Sequence, residues 1–409
     1  MADVIFVPAR GGYFNIDLAA MQTGRARNGF LYEGEPITPG FDGIVQPGEC
    51  LSVLIVLDDG QVGMGEGVSV ILAGAAGREA IFRPADHVAW LEEHVRPLLI
   101  GRSLENGREL AEEMDALRVD GDLLHGAARY AITQAIFHAS ALARRRTVAQ
   151  VIAEDYGIGG EMRAIPILAA CEQGDMALTD RIILKRADLL PHGSFASVEN
   201  DLGTDGGKLL DYARGLAARI GEVGGEGYRP TIHFDCYGSI GSLYPDPAEA
   251  AAYLDRVAEA VAPYPLLIES PIIMPSREEQ FASYRALRVA LRDRGSTVRI
   301  IIDEWCNTLD DIRECARMGA TDFVQIKTPD LGGINNSIEA VLICRAASMG
   351  ACLGGSANET DISARMTVQV ALACQPDFLM SKPGLGFDEA YMIMSNEMSR
   401  TLALAKRRA

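Results

Sequence analysis

TIHFD at residues 231–235 ends an apolar run with a carboxylate, and LLIE at 266–269, VRIIID at 298–303 and FVQIK at 323–327 repeat the pattern with a charged last residue. The last residues are spaced by 34, 34 and 24 positions, with helix-length polar or amphipathic sequence between them. A strand and a helix repeating at such a period form the βα unit of a parallel barrel or a doubly wound sheet. In a barrel the C-terminal ends of the strands meet at one mouth, so we expect the four terminal side chains to share a site.

The βα rhythm extends from about residue 164 to the end of the chain. The predicted strands are 165–170, 181–185, 230–235, 266–269, 298–303, 322–327, 350–355 and 378–381. Helices are expected between most of them, and a last amphipathic helix at 387–406. Seven or eight βα units favour a barrel over an open sheet. We therefore predict an α/β fold in which residues 161–409 form a TIM-like (β/α) barrel with a C-terminal helix.

Residues 1–160 do not follow this rhythm. Two strand-like stretches within 52–70 are joined by Asp58-Asp59-Gly60, which is a hairpin signal. Helical stretches follow near 85–99, 104–118 and 124–145. A hairpin followed by helices predicts a separate N-terminal α+β domain.

Composition restricts the partners and the compartment. The net charge of −18 argues against a nucleic acid or an anionic membrane as partner. An anionic small substrate is still compatible, because a bound metal can reverse the local field. The eight cysteines form no CxxC pair, which indicates free thiols in a reducing cytosol. The N-terminus lacks a basic signal-peptide region and no apolar run reaches about 18 residues. We therefore expect a cytoplasmic protein.

Three carboxylates, Asp235, Glu269 and Asp303, each come directly after a buried-type strand. One such residue alone is more often a helix cap or a turn residue. Three on consecutive units would repel one another at a barrel mouth unless a cation held them. Ligands that are all oxygen favour Mg²⁺ over Zn²⁺. The set therefore predicts a magnesium site, with Glu304 as a weaker candidate because it points to the opposite side of the strand.

Four further residues are candidates for the chemistry. Lys327 follows its strand directly, and a cation beside it would disfavour its charged form and make it a base. Gln325 lies on the same strand face and can offer its amide to a substrate carboxylate. His192, in the loop after the predicted second strand, is either a structural histidine or an acid/base group. Ser356, in a loop that leads into a helix, could hold a carboxylate together with nearby backbone N–H groups.

Several longer strings resemble one known family over almost the whole chain. They are SVLIVLDDGQV at 52–62, AITQAI at 131–136, DEWCNT at 303–308, VQIKTPDLGG at 324–333, KPGLG at 382–386 and NEM at 396–398 with Arg400. These strings resemble those of the methylaspartate ammonia-lyase family, which belongs to the enolase superfamily. The resemblance implies that the N-terminal domain caps the barrel.

The resemblance also implies a reaction and a role for each matching residue. The reaction is reversible loss of ammonia from L-threo-3-methylaspartate to give mesaconate, a step of amino-acid degradation such as glutamate fermentation. Lys327 matches the base for this substrate, His192 the acid/base group on its opposite face, and Gln325 the amide that binds its carboxylate. The three carboxylates match the Mg²⁺ ligands, and Mg²⁺ would stabilise the enolate that forms. A monovalent cation such as K⁺ and a homodimer are further expectations.

The chain departs from the family pattern around the substrate. Ile71 and Ala170 stand where the family has glutamines, and Gln173 is the nearest replacement for the second of these. The Ser356-Ala357 pair stands where the family has Thr-Cys. Lost hydrogen-bonding groups change affinity for a polar substrate by large factors. A closely related amino diacid, or one with a modified amine, is therefore an alternative substrate.

Two other functions stay open on sequence alone. One is another enolase-superfamily reaction, namely dehydration or racemisation (or epimerisation) of a hydroxy or amino acid with the same metal and lysine. The other is a binding or scaffold role without catalysis. Retention of all three carboxylates and Lys327 argues against the second.

Overall fold

The computed structural model describes residues 1–23, 25–75 and 77–407. The N-terminal strands are β1 Asp3–Ile16, β2 Arg27–Asn28, β3 Leu31–Tyr32, β4 Val45–Val56, β5 Val62–Val68, β6 Arg118–Val119 and β7 Asp122–Leu123. The N-terminal helices are α1 Leu18–Gln22, α2 Pro84–His94, α3 Arg96–Leu99, α4 Gly107–Asp115, α5 Gly126–Arg144 and α6 Val148–Asp155. Strands β1, β4 and β5 form an antiparallel sheet in that order, and β2–β3 and β6–β7 are two-stranded ribbons.

The predicted hairpin is the β4–β5 pair, in which Val56 lies opposite Val62 and Gly60 takes a positive φ of 83° in the turn. Strand β1 was not predicted from the sequence. Its pairing with β4 shifts register between Arg10 and Phe14, so its apolar residues do not alternate along the full length. An irregular strand of this kind gives a weak period-two signal.

Close packing of α5 on the sheet explains the glycines of β5. A Cβ added at Gly65 would lie 2.1 Å from the carbonyl oxygen of Ala131, and one at Gly67 would lie 1.9 Å from that of Ala127. Both glycines fall on one face of the strand because alternate residues share a face. The helix is buried along most of its length, and it contributes Tyr130 at the contact with the barrel.

The remainder of the chain forms the closed eight-stranded barrel that the sequence predicted. Its strands are β8 Ile167–Leu168, β9 Leu189–His192, β10 Thr231–Asp235, β11 Leu266–Glu269, β12 Arg299–Ile302, β13 Phe323–Ile326, β14 Gly350–Leu353 and β15 Phe378–Met380. Its helices are α7 Met176–Leu184, α8 Gly207–Val223, α9 Ser239–Leu243, α10 Pro247–Val261, α11 Arg277–Asp293, α12 Leu309–Met318, α13 Ile334–Ala346, α14 Asp361–Cys374 and α15 Phe387–Arg407. All strands are parallel, and β15 pairs with β8 to close the barrel.

One predicted strand is wrong. Residues 181–185 lie mostly in α7, which begins after Asp175, whose side chain accepts a hydrogen bond from the Leu178 N–H. The second barrel strand is β9. Ile182 and Ile183 are buried on the helix, whereas Leu184 is exposed. A short apolar run of this kind does not distinguish a helix from a strand.

The barrel interior is a packed core of its own. Its buried residues are Leu168, Leu189, Leu267, Ile301, Phe323, Cys352, Phe378 and Met380. The eight cysteines of the chain are buried and free. Within the described ranges, none of the helices combines the length and the apolarity that a bilayer crossing needs.

Candidate active site

The predicted metal ligands lie in the layer directly above the barrel core. Leu267 and Ile301 belong to that core, and Glu269 and Asp303 follow two positions later, so that strand alternation directs them inward as well. Asp235 is in register with Glu269 across the β10–β11 pair. Asp235, Glu269 and Asp303 are 2%, 0% and 4% exposed. The three carboxylates therefore belong to one buried layer at the C-terminal mouth.

The electrostatics of this layer fit a cation. Burial raises the pKa of Glu269 well above its usual range, and the charge of Asp303 raises it further. Burial and then the charge of Glu269 raise the pKa of Asp235 in the same way. Groups that raise one another's pKa destabilise their shared ionised form, and a divalent cation removes this cost. An all-oxygen donor set of this kind suits Mg²⁺.

Lys327 lies beside one of these carboxylates. Its Nζ donates to Asp303 Oδ2 at 2.6 Å, and the lysine side chain is 16% exposed. Burial has the largest single effect and lowers the pKa of Lys327, but the charges of Asp303, Glu304 and Asp330 together outweigh burial and the pKa is raised. The pair therefore favours the ammonium form, whereas a base must be neutral. A cation held by Asp303 would compete with Lys327 for that carboxylate.

A fourth carboxylate contributes to this layer. The sequence placed Glu304 on the opposite side of the strand, but it is buried, and its Oε2 accepts a hydrogen bond of 2.8 Å from the Ser270 hydroxyl. Its charge raises the pKa of both Asp235 and Glu269. The β12 strand ends at Ile302, so strand alternation no longer determines the direction of Glu304.

The Gln325 amide already points at the carboxylate layer. Its Nε2 donates to Glu269 Oε1 at 3.2 Å, and the residue is 3% exposed. A Cβ added at Gly354 would lie 2.0 Å from Gln325 Oε1, so the backbone directly after β14 passes close to the amide. The amide therefore lies at the mouth, directly beside Glu269.

His192 is the last residue of β9 and not part of the loop after it, because the second strand lies later than predicted. Its Nε2 is 3.8 Å from Asp235 Oδ2, and its φ is 64°. Burial, followed by the charges of His233 and Lys327, lowers the pKa of His192 to about 3. The imidazole is thus neutral at neutral pH. Because the charge of Lys327 contributes to the lowered pKa of His192, the two side chains lie near each other.

His233 is a site residue that the sequence reasoning missed. It is fully buried, stacks on His192 with ring centroids 5.3 Å apart, and places Nε2 2.9 Å from Glu269 Oε2. One donor atom from each of His192, His233 and Glu269 lies within 4.8 Å of the others. Of the predicted ligands, this cluster contains Glu269 alone. Since it lies two residues before Asp235, strand alternation could have found His233.

The substrate-side loop contacts the N-terminal domain through Ser356. The Ile71 backbone N–H donates to Ser356 Oγ at 3.0 Å, which leaves the hydroxyl proton available to a ligand. Ser356 is buried, and the next residue, Ala357, is half-buried. Ile71 thus meets this loop through its backbone, and its apolar side chain offers no hydrogen bond.

Gln173 does not replace the missing amide near Ala170. Its Oε1 accepts from the Ser194 N–H at 3.1 Å, and its Nε2 donates to the Ser194 carbonyl oxygen at 2.5 Å and to Asp201 Oδ1 at 3.2 Å. Both ends of the side chain therefore bind the loop after β9. The structure gives no support to Gln173 as a substrate ligand.

A buried ion pair also joins the N-terminal domain to the loop after Lys327. Arg78 Nε lies 2.8 Å from Asp330 Oδ2, with side chains 3% and 7% exposed. The Asp330 N–H donates to the Lys327 carbonyl oxygen at 3.0 Å. Sequence reasoning missed this pair, because no local pattern relates residues 252 positions apart.

A barrel whose strand ends carry three acidic residues and a lysine, behind an α+β N-terminal domain, defines the enolase class of barrel enzymes. Muconate lactonizing enzyme from Pseudomonas fluorescens shares this fold with a TM-score of 0.63 at 18% identity, over 94% of this chain and 89% of that one. Family models described as the N-terminus and the C-terminus of methylaspartate ammonia-lyase match residues 1–157 and 161–407. The chain belongs to the methylaspartate ammonia-lyase family.

Individual relatives match over their full length. The chain is 44% identical to methylaspartate ammonia-lyase 2 of Carboxydothermus hydrogenoformans, over 99% of this chain and 98% of that protein. It is 42% identical to β-methylaspartase of Clostridium tetanomorphum, whose crystal structure is a Mg complex and matches with a TM-score of 0.96 over 100% of both chains. The Citrobacter amalonaticus enzyme, solved with (2S,3S)-3-methylaspartic acid, matches with a TM-score of 0.96 at 40% identity over 99% of both chains.

Proposed function

We propose that this protein is a Mg²⁺-dependent ammonia-lyase that converts L-threo-3-methylaspartate, or a closely related amino diacid, to the unsaturated diacid and ammonia. For methylaspartate the product is mesaconate. The observation that carries the proposal is the placement of Lys327, His192 and three buried carboxylates at one barrel mouth. Full-length identity of 44% to a curated methylaspartate ammonia-lyase supports the same reaction.

The side chains divide the reaction between them. Lys327 removes the proton from C3, the electron pair of that C–H bond forms the double bond, and the amine leaves C2 with the electron pair of the C–N bond. His192 is a neutral imidazole near Lys327 and is the acid/base group on the opposite face of the substrate. The Gln325 amide and the Ser356 hydroxyl bind carboxylate oxygens. Burial of the site excludes water from these groups.

The metal would be held by Asp235, Glu269 and Asp303. When bound, Mg²⁺ supplies positive charge that stabilises the negative charge developing on the substrate carboxylate next to C3. The three side chains fit this role because burial and mutual repulsion raise the pKa values of Asp235 and Glu269.

A spectrophotometric assay tests the proposal. The purified protein, supplied with Mg²⁺, is given a panel of amino diacids and hydroxy acids, and formation of unsaturated diacid is followed in the ultraviolet. We expect turnover of one or more amino diacids with release of one ammonia per double bond formed. Turnover of hydroxy acids without turnover of any amino diacid would instead indicate a dehydratase.

Replacing His192 with alanine is expected to affect one diastereomer more than the other. His192 and Lys327 are assigned to opposite faces of the substrate, so His192→Ala should suppress elimination from the C3 epimer more than from the L-threo form. The measurement is kcat/KM for both diastereomers. His138→Ala is the matched control, because His138 is a part-buried histidine remote from the mouth that binds the Met64 backbone. Equal losses for both diastereomers would assign His192 a general binding role.

Restoring amides at Ile71 and Ala170 is expected to improve turnover of methylaspartate. A polar group left without a partner in a closed site costs roughly 1–3 kcal/mol, or about 5- to 150-fold in efficiency. Gln173 does not fill the gap, because both ends of its amide bind elsewhere. We expect weak activity of the unmodified protein on methylaspartate and better tolerance of a larger or N-substituted amine. Ile71→Gln with Ala170→Gln should raise kcat/KM for methylaspartate.

The control for this prediction is Ile71→Met, which changes shape without adding a hydrogen-bonding group. A double amide variant that turns over methylaspartate no faster than the unmodified protein would refute the idea. So would an unmodified protein that already works at the full efficiency of its relatives.

We also propose a cytoplasmic homodimer that uses a monovalent cation such as K⁺ beside Mg²⁺. Eight buried free cysteines are compatible with a reducing compartment. Sedimentation measurements test the dimer, and activity assays in K⁺ against tetramethylammonium buffers test the monovalent ion.

A further inference from the structure

A fully buried ion pair lies beneath the substrate-side loop. Lys382 Nζ is 2.7 Å from Glu359 Oε2, and the two side chains are 1% and 0% exposed. Charges at this depth carry a large desolvation cost, and they are tolerated where every charged atom has hydrogen-bonding partners. The pair therefore depends on the groups that surround it.

Those groups come from several separate segments. Glu359 Oε1 accepts from the Tyr130 hydroxyl at 2.9 Å, and Oε2 accepts from the Ser356 N–H at 2.9 Å. The Thr328 hydroxyl lies 3.3 Å from both carboxylate oxygens. Lys382 Nζ also donates to the Gly354 carbonyl oxygen at 2.9 Å. These donors and acceptors lie in α5 and in the loops after β13, β14 and β15.

The substrate-side loop is folded tightly around the pair. A Cβ added at Gly355 would lie 1.9 Å from Glu359 Oε2 and 2.4 Å from Lys382 Nζ, and Gly355 has a φ of 152°. A glycine is required there because the backbone passes directly over the charges. The position of Ser356, the next residue, is thus set by the Glu359 carboxylate.

The pair is also connected to the predicted base, Lys327, through the next residue of the chain. Thr328 is the residue after Lys327, and its hydroxyl is held by Glu359. The proposed mechanism gives Glu359, Lys382 and Tyr130 no step of their own, and none of them is hydrogen-bonded to a predicted metal ligand among the contacts of the described residues.

We propose that the Glu359–Lys382 pair is a positioning device that holds the base Lys327 and the carboxylate-binding Ser356 in one fixed arrangement, with Tyr130 connecting it to the N-terminal domain. This inference rests on the proposed function, because it assigns the pair to the same site. A buried charge network with all partners in place has one favourable geometry. Displacement of reacting groups by about 1 Å can cost 100-fold in rate.

The first test removes one hydroxyl. Tyr130→Phe takes away the hydrogen bond from α5 to Glu359 and keeps the ring. We expect kcat to fall about 10-fold and the primary isotope effect with C3-deuterated substrate to rise, because proton transfer from a misplaced base becomes slower than the other steps. Mg²⁺ affinity, measured by calorimetry, should not change. Tyr228→Phe is the matched control: its buried hydroxyl binds the Ala187 carbonyl oxygen at the other end of the barrel.

The second test addresses the charges. Glu359→Gln should lower kcat about 100-fold, and combining it with Lys382→Met should restore thermal stability without restoring kcat. A structural role alone would reduce the folded fraction and leave the isotope effect of the folded enzyme unchanged, and that result would overturn the inference. Unchanged kcat in both Tyr130→Phe and Glu359→Gln would also overturn it. An unmodified protein that releases no ammonia would overturn the proposed function itself, a distinguishable result.

Discussion

Lys327→Ala is expected to reduce kcat on L-threo-3-methylaspartate by about 100- to 10,000-fold, the usual contribution of a general base. Lys327 sits at the end of β13 beside the carboxylate layer, with Nζ 2.6 Å from Asp303. Mg²⁺ binding should persist in the variant. It should even strengthen, since the ammonium no longer occupies Asp303. Steady-state kinetics and calorimetric titration of Mg²⁺ measure the two effects separately.

Two further variants make this prediction specific. Lys327→Arg keeps the positive charge but cannot give up its proton at neutral pH, so it should be as inactive as the alanine variant. Lys208→Ala removes an exposed lysine that binds backbone carbonyl oxygens at the surface, and it should leave kcat unchanged. Near-normal turnover by Lys327→Ala would show that another group is the main base.

The sequence predicted the buried carboxylate layer, with Lys327 beside it, because strand alternation is a pattern that short stretches already contain. Glu269 and Asp303 follow core residues by two positions, so their inward direction was already contained in the local pattern. The closed barrel then brings the ends of separate strands together. The same reasoning applied to the residue two before Asp235 would have identified His233.

Other features could not be predicted because they depend on distant residues. The sequence predicted the second barrel strand at 181–185, but the apolar residues there belong to a helix and the strand is Leu189–His192. The choice between helix and strand for such a run depends on the elements that bury it. Glu304 turns back towards the carboxylate layer after its strand has ended, where it accepts a hydrogen bond from Ser270. The Arg78–Asp330 pair joins the N-terminal domain to the barrel across 252 positions. No periodic pattern encodes such contacts.

Removal of divalent metal is expected to abolish activity, and Mg²⁺ should restore it. Burial and the charge of Asp303 raise the pKa of Glu269, so the ionised carboxylate layer is unfavourable without a cation. Chelation should therefore eliminate turnover, and Glu269→Gln should weaken Mg²⁺ binding in a calorimetric titration as well as activity. Asp310→Asn, which changes a carboxylate that is 83% exposed, is the control and should have no effect on either.

Glu304 provides an internal comparison for the metal prediction. Its carboxylate lies in the same layer but accepts a hydrogen bond from Ser270, so Glu304→Gln should weaken Mg²⁺ binding less than Asp303→Asn does. The comparison separates ligation from the general effect of negative charge, since both variants remove one charge from one layer. Full turnover in excess chelator, or equal Mg²⁺ affinity in the unmodified protein and Glu269→Gln, would rule out a metal bound by these carboxylates.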